Sequence, residues 1–534
     1  MATRHHHTRQ PAALQPWLTP RVILSTPLLC AIVWHFLAGG LAFAAAAETS
    51  PGGWEDSSGT ALHELSHSYV ISNPGLSGFH ILDTGPQAFL ERAALIEAAT
   101  RTIDAQYYIW NSDISGLYLA RRLLLAADRG VRVRLLLDDI NVGTRDRQIA
   151  ALDHHPNIEI RIFNPSSVRG GPGKGLAFVA DFQRMNRRMH NKTFVVDGVL
   201  GIVGGRNIGD EYFGLHPKMN HRDRDVLAAG PVVQDMSANF DAYWNSHWSR
   251  SMARIAPNAI SDQDFALLSA KVRSAADDTT DLQMQPAQSG ETALTQMQAL
   301  LPTLVWASAE LIFDPPVDDM TDSTEEPKRT AQSLHQYVTS ASSEILIESA
   351  YFVLAEQQLE MMDSLNRRQV RVAVVTNSLA SNDLVPNHAA YARWRPVMIE
   401  KGIQLHELRP DAAACKQWIT LPGYCEKGLV SLHAKSAVFD RTTLYIGSLN
   451  VNLRSIYLNG ETVLIIHSPE LAERVAGDIE AAMSPDNSWR VTRMGRGGLS
   501  WSSSAGESTR EPGVSWLTRS RSRLISRMPI EKYL

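Results

Sequence analysis

One feature constrains this chain more than any other: a polar motif embedded in apolar sequence occurs twice, far apart. The first copy runs His190-Asn-Lys192-Thr-Phe-Val-Val-Asp197, and after six residues comes Gly204-Gly205-Arg206-Asn207. The second runs His433-Ala-Lys435-Ser-Ala-Val-Phe-Asp440, and again six residues later comes Gly447-Ser448-Leu449-Asn450. A lone His-x-Lys would fit a solvated strand edge. Two copies that share every fixed position require a fold that applies both to one task.

Histidine and lysine two apart on a strand leave the same face, so imidazole and ammonium point together. Asp197-Gly198 is a hairpin signal, and a chain folded back there sets Asn207 opposite His190; by the same count Asn450 faces His433. Each hairpin then presents a nucleophile or proton carrier, a fixed positive charge and an amide donor. That set suits phosphate chemistry.

The flanking sequence is duplicated as well. Gln87 to Thr100 has helical periodicity, Thr102 to Trp110 is β-rich, and an apolar helix from Leu117 to Asp128 leads to a strand from Val131 to Leu137. The second half repeats this with a helix near Ser333 to Ser340, a strand from Ile345 to Val353, a helix from Gln357 to Asn366 and a strand from Val370 to Thr376. Ile158 to Pro165 and Ile403 to Pro410 match, each about 25 residues before its motif. After each motif follows a further strand, Asp223 to Pro231 and Glu461 to Pro469.

Both copies of H-x-K-x4-D with G-[GS]-x-N resemble the signature of the phospholipase D superfamily. Thr102 to Trp110, Asn186 to His190 and Gly204 to Phe213 are similar to bacterial cardiolipin synthases, especially the C-type branch, as is the ending Met528 to Leu534. The resemblance implies an α/β fold of two phospholipase D-like domains, each a mixed sheet flanked by helices, related by a pseudo-twofold and sharing one active site. It implies that His190 attacks phosphorus to form a phosphohistidine while His433 serves as acid and base. Lys192 and Lys435, with Asn207, Asn450 and the Ser448 hydroxyl, would hold the phosphate, and neither metal nor other cofactor is called for. An acid at the start of the following strand holds the imidazole tautomer in this superfamily, which assigns Asp223 to His190 and Glu461 to His433, with Asp225 a rival to Asp223. Asp197 and Asp440 belong to the motif but sit at turns, where Asp is a common structural residue.

The implied reaction is phosphatidyl transfer that makes cardiolipin from phosphatidylglycerol and a second phospholipid, either phosphatidylglycerol or phosphatidylethanolamine. A hydrolase that releases phosphatidic acid and an exported phosphodiesterase or nuclease are the alternatives, and a non-catalytic scaffold fits intact motifs poorly. A net charge of −5 over 534 residues advertises no nucleic-acid partner. Oligomeric state is not legible. Tyr107, Tyr108, Trp110 and Tyr212 suit either core or an apolar entrance for acyl chains.

The N-terminus carries Arg4, Arg9 and Arg21 and then an uncharged run of about 26 residues, Val22 to Ala47, long enough for a hydrocarbon core of roughly 30 Å. It reads as a membrane anchor or a cleaved signal, with the body on the periplasmic face of a bacterial inner membrane. Cys30 follows a bulky Leu29, which argues against lipidation there. Cys415 and Cys425 could pair if the body is exported, or remain two buried thiols. The expected organisation is an anchor or signal at 1–48, a linker at 49–75, domain one at 76–261, a connecting segment at 262–330, domain two at 331–483 and a tail at 484–534, whose Ser, Gly, Arg and Trp content assigns it no role.

Overall fold

The computed structural model describes residues 57–143, 145–169, 181–257, 260–275, 284–316, 325–426, 428–495, 497–528 and 531–533. The expected anchor or signal at 1–48 and the first part of the linker lie outside the described residues. No helix of the described residues is long and apolar enough to cross a membrane. The described residues belong to one compact unit.

In the first half the strands are β1 (Ser77–Leu82), β2 (Thr102–Tyr107), β3 (Arg132–Asp138), β4 (Ile158–Phe163), β5 (Thr193–Val196), β6 (Leu200–Gly204), β7 (Met219–Arg222), β8 (Asp225–Ala229) and β9 (Ser249–Ser251). β2, β3 and β4 run parallel, because helices Ile114–Asp128 and Asp146–Asp153 cross over between them. β9 closes one side antiparallel to β4, while β5, β6, β8 and β1 follow antiparallel on the other. Alternation is visible along β3. Val133, Leu135 and Leu137 join the apolar cluster beneath the helices, whereas Arg134 leaves the opposite face to pair with Asp104 at 2.7 Å and Asp241 at 2.8 Å.

The second half repeats the plan with β10 (Val305–Phe313), β11 (Glu344–Ser349), β12 (Arg371–Asn377), β13 (Gln404–Leu408), β14 (Leu429–Leu432), β15 (Lys435–Phe439), β16 (Thr443–Gly447), β17 (Thr462–His467) and β18 (Ser488–Arg493). β11, β12 and β13 are parallel, β15, β16, β17 and β10 follow antiparallel, and β18 takes the place of β9. β19 (Leu499–Ser503) and β20 (Gly506–Ser508) extend the sheet, so residues read as tail from composition supply three strands.

β10, placed in the connecting segment, joins the halves. Val305 to Ala307 pair with β1, and Ser308 to Phe313 pair with β17, which makes one continuous 18-stranded sheet. A second bond between halves is the parallel pair of β7 with β14. A single apolar cluster then takes Phe79, Ile81 and Val226 from one half with Val438, Leu444 and Leu464 from the other, sealed by Leu471, Val475 and Ile479 of the helix Pro469–Met483. Cys415 and Cys425, open between pairing and free thiols in sequence, form a disulfide beside that cluster, with Cα atoms 5.8 Å apart.

The motif hairpins differ from expectation by one residue. Val196 faces Leu200 and Thr193 faces Val203, so the loop is Asp197-Gly198-Val199, three residues rather than two. Asp197 and Gly198 hold φ of 52° and 65°, and the second hairpin, with Phe439 opposite Thr443, uses Asp440 and Arg441 at 49° and 54°. His190 and His433 stand before the strands rather than on them, which removes the expected pairing with Asn207 and Asn450 across a ladder.

Because the halves share a ladder and a core, unfolding by denaturant should give one coincident transition for far-ultraviolet dichroism and tryptophan fluorescence. Two separated transitions would show halves that fold independently.

Candidate active site

Each histidine is fixed by the opposite half. The His190 amide donates to the Gly460 carbonyl at 2.8 Å, and the Gly460 amide returns to Arg188 at 2.8 Å. Its ring Nδ1 lies 2.8 Å from Glu461 Oε2. The second copy mirrors this: the His433 amide donates to the Arg222 carbonyl at 2.8 Å, and its Nδ1 lies 2.5 Å from Asp223 Oδ2. The sequence assignment of Asp223 to His190 and Glu461 to His433 is therefore corrected to the exchanged pairing. The reason is backbone: each acid directly follows the residue that accepts the other half's histidine amide. Asp225, the rival acid, is taken by Arg92 at 2.8 Å.

A carboxylate only accepts, so each ring carries its proton on Nδ1 and keeps a lone pair on Nε2. The 3.0 Å approach of Lys435 Nζ to His433 Nδ1 is then a contact, and that ammonium donates to the His433 carbonyl instead. Lys192 likewise donates to the His190 carbonyl at 2.5 Å. Both lysines are buried, and each ammonium feels the opposite half's acid first and its own half's as well: Lys192 is stabilised by Glu461 and also by Asp223, and Lys435 by Asp223 and also by Glu461. The two half-sites are one site.

Burial shifts every group in it. It drives His190 down to about 4, with Glu461 opposing and Lys192 adding, and carries His433 well below the usual imidazole range, with Lys435 adding and Asp223 opposing. Burial also lowers Lys192 to about 7 and Lys435 to about 8. For Asp223 burial pushes upward, but His433 and Lys435 outweigh it and hold the carboxyl below its ordinary value; His190 and Lys192 do the same for Glu461. At neutral pH both imidazoles are thus uncharged bases against ionised carboxylates.

The remaining expected residues divide. Asn207 Oδ1 accepts from the Ile109 amide at 3.1 Å and its Nδ2 donates to the Tyr212 hydroxyl at 3.0 Å, whereas buried Asn450 Oδ1 has no partner. Ser448, expected on the phosphate, is fully buried behind Glu461: its hydroxyl donates to Oε2 at 2.5 Å and accepts from the Thr462 amide at 2.9 Å. It supports the acid on His190. Asp197 and Asp440, grouped with the motif's catalytic residues, lie beyond the strands from the histidines. Asp197 accepts from the amides of Arg101 and Thr102 at 2.8 and 2.9 Å, and Asp440 from those of Ser342 and Ser343 at 2.8 and 2.7 Å. They fasten each hairpin to the start of the adjoining strand.

Of the aromatic residues, Tyr107 is core, Tyr108 packs edge-on against His190 at 4.9 Å and Tyr212 against His433 at 5.0 Å. Three neighbours were not singled out in sequence. The His221 ring lies 5.1 Å from that of His433 with its Nδ1 unpartnered, and the Tyr351 hydroxyl donates to Asp383 at 2.9 Å. Only position relative to the acids could have flagged His221, two residues before Asp223.

The half-sites differ where Gly205 stands in place of Ser448. A Cβ at 205 would collide with the Asp223 carboxylate, so the shorter acid lies over glycine while the longer Glu461 is braced by serine. Gly205→Ser should cost about 1–3 kcal/mol of stability through overpacking and lower turnover by displacing Asp223. Glu461→Gln should lower kcat by about two to four orders of magnitude, since a neutral amide can hold the wrong tautomer. Thermal melts beside steady-state rates check both.

The sequence matches the family described as "Cardiolipin synthase, PLD-like domain" over residues 93–244 and again over 334–483. It is similar to cardiolipin synthase C of Escherichia coli K12, 38% identical over 472 residues, which span 86% of this chain and 96% of that protein. The major cardiolipin synthase ClsA of Bacillus subtilis is 24% identical over 398 residues, 74% of this chain and 66% of that one. Among solved structures, phosphatidylserine synthase of Haemophilus influenzae Rd KW20 shares the fold with a TM-score of 0.56 at 14% identity, covering 88% of this chain and all of its own. The chain belongs to the cardiolipin synthase family of phospholipase D-like enzymes.

Proposed function

We propose that the protein transfers a phosphatidyl group to phosphatidylglycerol and so makes cardiolipin, the donor being a second phosphatidylglycerol or phosphatidylethanolamine. The observation that carries this reading is the exchanged pairing, which leaves two Nε2 lone pairs in one site with two ammonium groups. His190 Nε2 attacks phosphorus, the P–O bond to glycerol or ethanolamine breaks, and His433, protonated once the diester anion is bound, gives its proton to the departing alkoxide. The acceptor hydroxyl then passes its proton to His433 as its oxygen attacks phosphorus, and the P–N bond breaks. Lys192, Lys435 and the Asn207 and Asn450 amides stabilise the non-bridging oxygens.

A lipid diester is supported by a cavity of about 380 Å³ beneath the sheet, lined by Trp110, Leu123, Leu135, Leu137, Ile149 and Ile160. Trp110 stands two residues beyond Tyr108, at the catalytic end of β2. The Cys415–Cys425 disulfide and the Arg-flanked apolar N-terminus support a membrane-associated body on the outer face of the inner membrane.

The detergent-purified protein given phosphatidylglycerol, alone or with phosphatidylethanolamine, should yield cardiolipin and the small alcohol by mass spectrometry. His190→Ala should reduce this by about three orders of magnitude or more. Phosphatidic acid as the sole product would replace transfer with hydrolysis, and a phosphatidyl adduct on the His433 peptide, trapped with denaturant at mildly alkaline pH where the P–N bond survives, would exchange the two roles. Because Lys192 and Lys435 lose charge near 7 and 8 rather than near the usual 10.5, kcat/KM should decline as pH rises through that interval. A profile flat to about pH 9 would contradict their phosphate-binding role.

A further inference from the structure

The C-terminal segment turns its apolar side outward. Among the described residues twelve large apolar side chains are exposed, and five of them, Trp516, Leu517, Leu524, Met528 and Tyr533, fall between residues 516 and 533. That clustering marks a patch rather than scattered surface apolarity. The helix Trp516–Ile525 is capped by Ser515, whose hydroxyl accepts from the Thr518 amide at 3.2 Å.

With about 3.6 residues per turn, Trp516, Ser520 and Leu524 form one row and Leu517 and Arg521 the adjoining row, and exposed Met528 lies in the turn that follows the helix. Arg523 borders the other side, and Arg527 lies in the turn after the helix. Trp516 is 67% exposed, Leu517 61% and Leu524 62%, while Ser522 on the opposite face is buried where the helix meets helix Val385–Glu400. The usual amphipathic arrangement is inverted: small and half-buried residues face the protein, and the large apolar ones face out. No acidic residue occurs between Glu511 and Glu531, a stretch holding four arginines. Arg519 is occupied by the Glu511 carbonyl at 2.9 Å; Arg521, Arg523 and Arg527 make no ion pair among the described residues.

We propose that this helix is an interfacial docking surface for an anionic phospholipid bilayer, its Trp516-Leu517-Leu524-Met528 stripe seated at the acyl boundary and Arg521, Arg523 and Arg527 on lipid phosphates. Charge selects the occupant: an apolar stripe bordered on both sides by unpaired arginines complements a sheet of anionic headgroups over an apolar interior. Two connections lead from it to the site. Tyr533 gives its carbonyl to Arg454 at 3.0 Å, and Arg454 grips Asn186, four residues before His190. Helix Val385–Glu400, on which the docking helix rests, begins just after Asp383, the partner of Tyr351. The inference rests on the reading that the substrates are membrane lipids, and it adds a second contact with the bilayer to the N-terminal segment.

The test uses the full chain with Cys30→Ser and Ser520→Cys, labelled with an environment-sensitive fluorophore and reconstituted in vesicles. In phosphatidylglycerol vesicles the label should show a severalfold rise and a blue shift. Both should be largely lost in phosphatidylcholine vesicles, at high salt, and in Leu517→Glu/Leu524→Glu. The doubly substituted protein should also show a higher KM for vesicle-embedded phosphatidylglycerol, with kcat on a monomeric short-chain analogue unchanged. A label that stays water-exposed in anionic vesicles overturns the proposal, as does an equal response in neutral ones or a response only to a second copy of the chain or a protein partner. The fluorescence needs no turnover, so a shifted label without cardiolipin synthesis would count against the transferase alone.

Discussion

Everything at this site depends on one arrangement: the backbone carbonyl just before each acid accepts the amide of the other half's histidine. With Gly460 bonded to His190 and Arg222 to His433, the next residue in each case is within reach of the imidazole Nδ1. A main-chain bond therefore sets the register in which a side-chain bond becomes possible. Neither half holds its own histidine in a defined tautomer, so neither half is a small enzyme awaiting a partner. Duplication here is division of labour within each half-site, rather than two sites added together.

That arrangement requires the two edges around Asp223 and Glu461 to be held firmly against the opposite half. Arg222 and Arg224, on either side of Asp223, both pair with Glu348 of the second half at 2.9 Å. Buried ion pairs of this kind add little net stability, because desolvation offsets attraction, but losing one partner is costly. Their value is positional. On the other side Asp314, at the end of β10, accepts from the Glu461 amide at 3.1 Å, so the strand that joins the sheets also sets the second acid. The continuous sheet and the crossed histidines are one constraint expressed at two scales.

What could be read from sequence follows from what is local. Strand and helix order were legible because periodicity and the repeat are local, and the turn role of Asp197 and Asp440 was legible because few residues accept from several successive amides there. The three-residue loop was not, since Asp197-Gly198 also suits a two-residue turn, and in the second copy Arg441 takes positive φ without glycine to announce it. The exchange of acids was not legible either. Asp223 follows His190 and Glu461 follows His433 in the chain, and proximity in sequence carries no information about which edge a pseudo-twofold brings together. β10 escaped for a related reason: nine residues from Val305 to Phe313 have a partner strand on each of two halves, and only the assembled sheet makes them central.

The departures from symmetry are chemically directed. Around His433 stand His221 and Tyr212; around His190 stands Tyr108. The second imidazole has another imidazole against it and the shorter acid over Gly205. The acid on the first imidazole is the one braced by Ser448. A hydroxyl that donates to Glu461 lowers the carboxylate's basicity and so discourages proton transfer from His190 Nδ1, keeping that ring neutral with its lone pair on Nε2. Asp223 accepts instead from the Arg224 amide at 2.8 Å, a backbone donor that cannot rotate away as a hydroxyl can. The frame is twofold, but the two acids are tuned by different donors, and with the different rings around them that makes the two histidines chemically unequal.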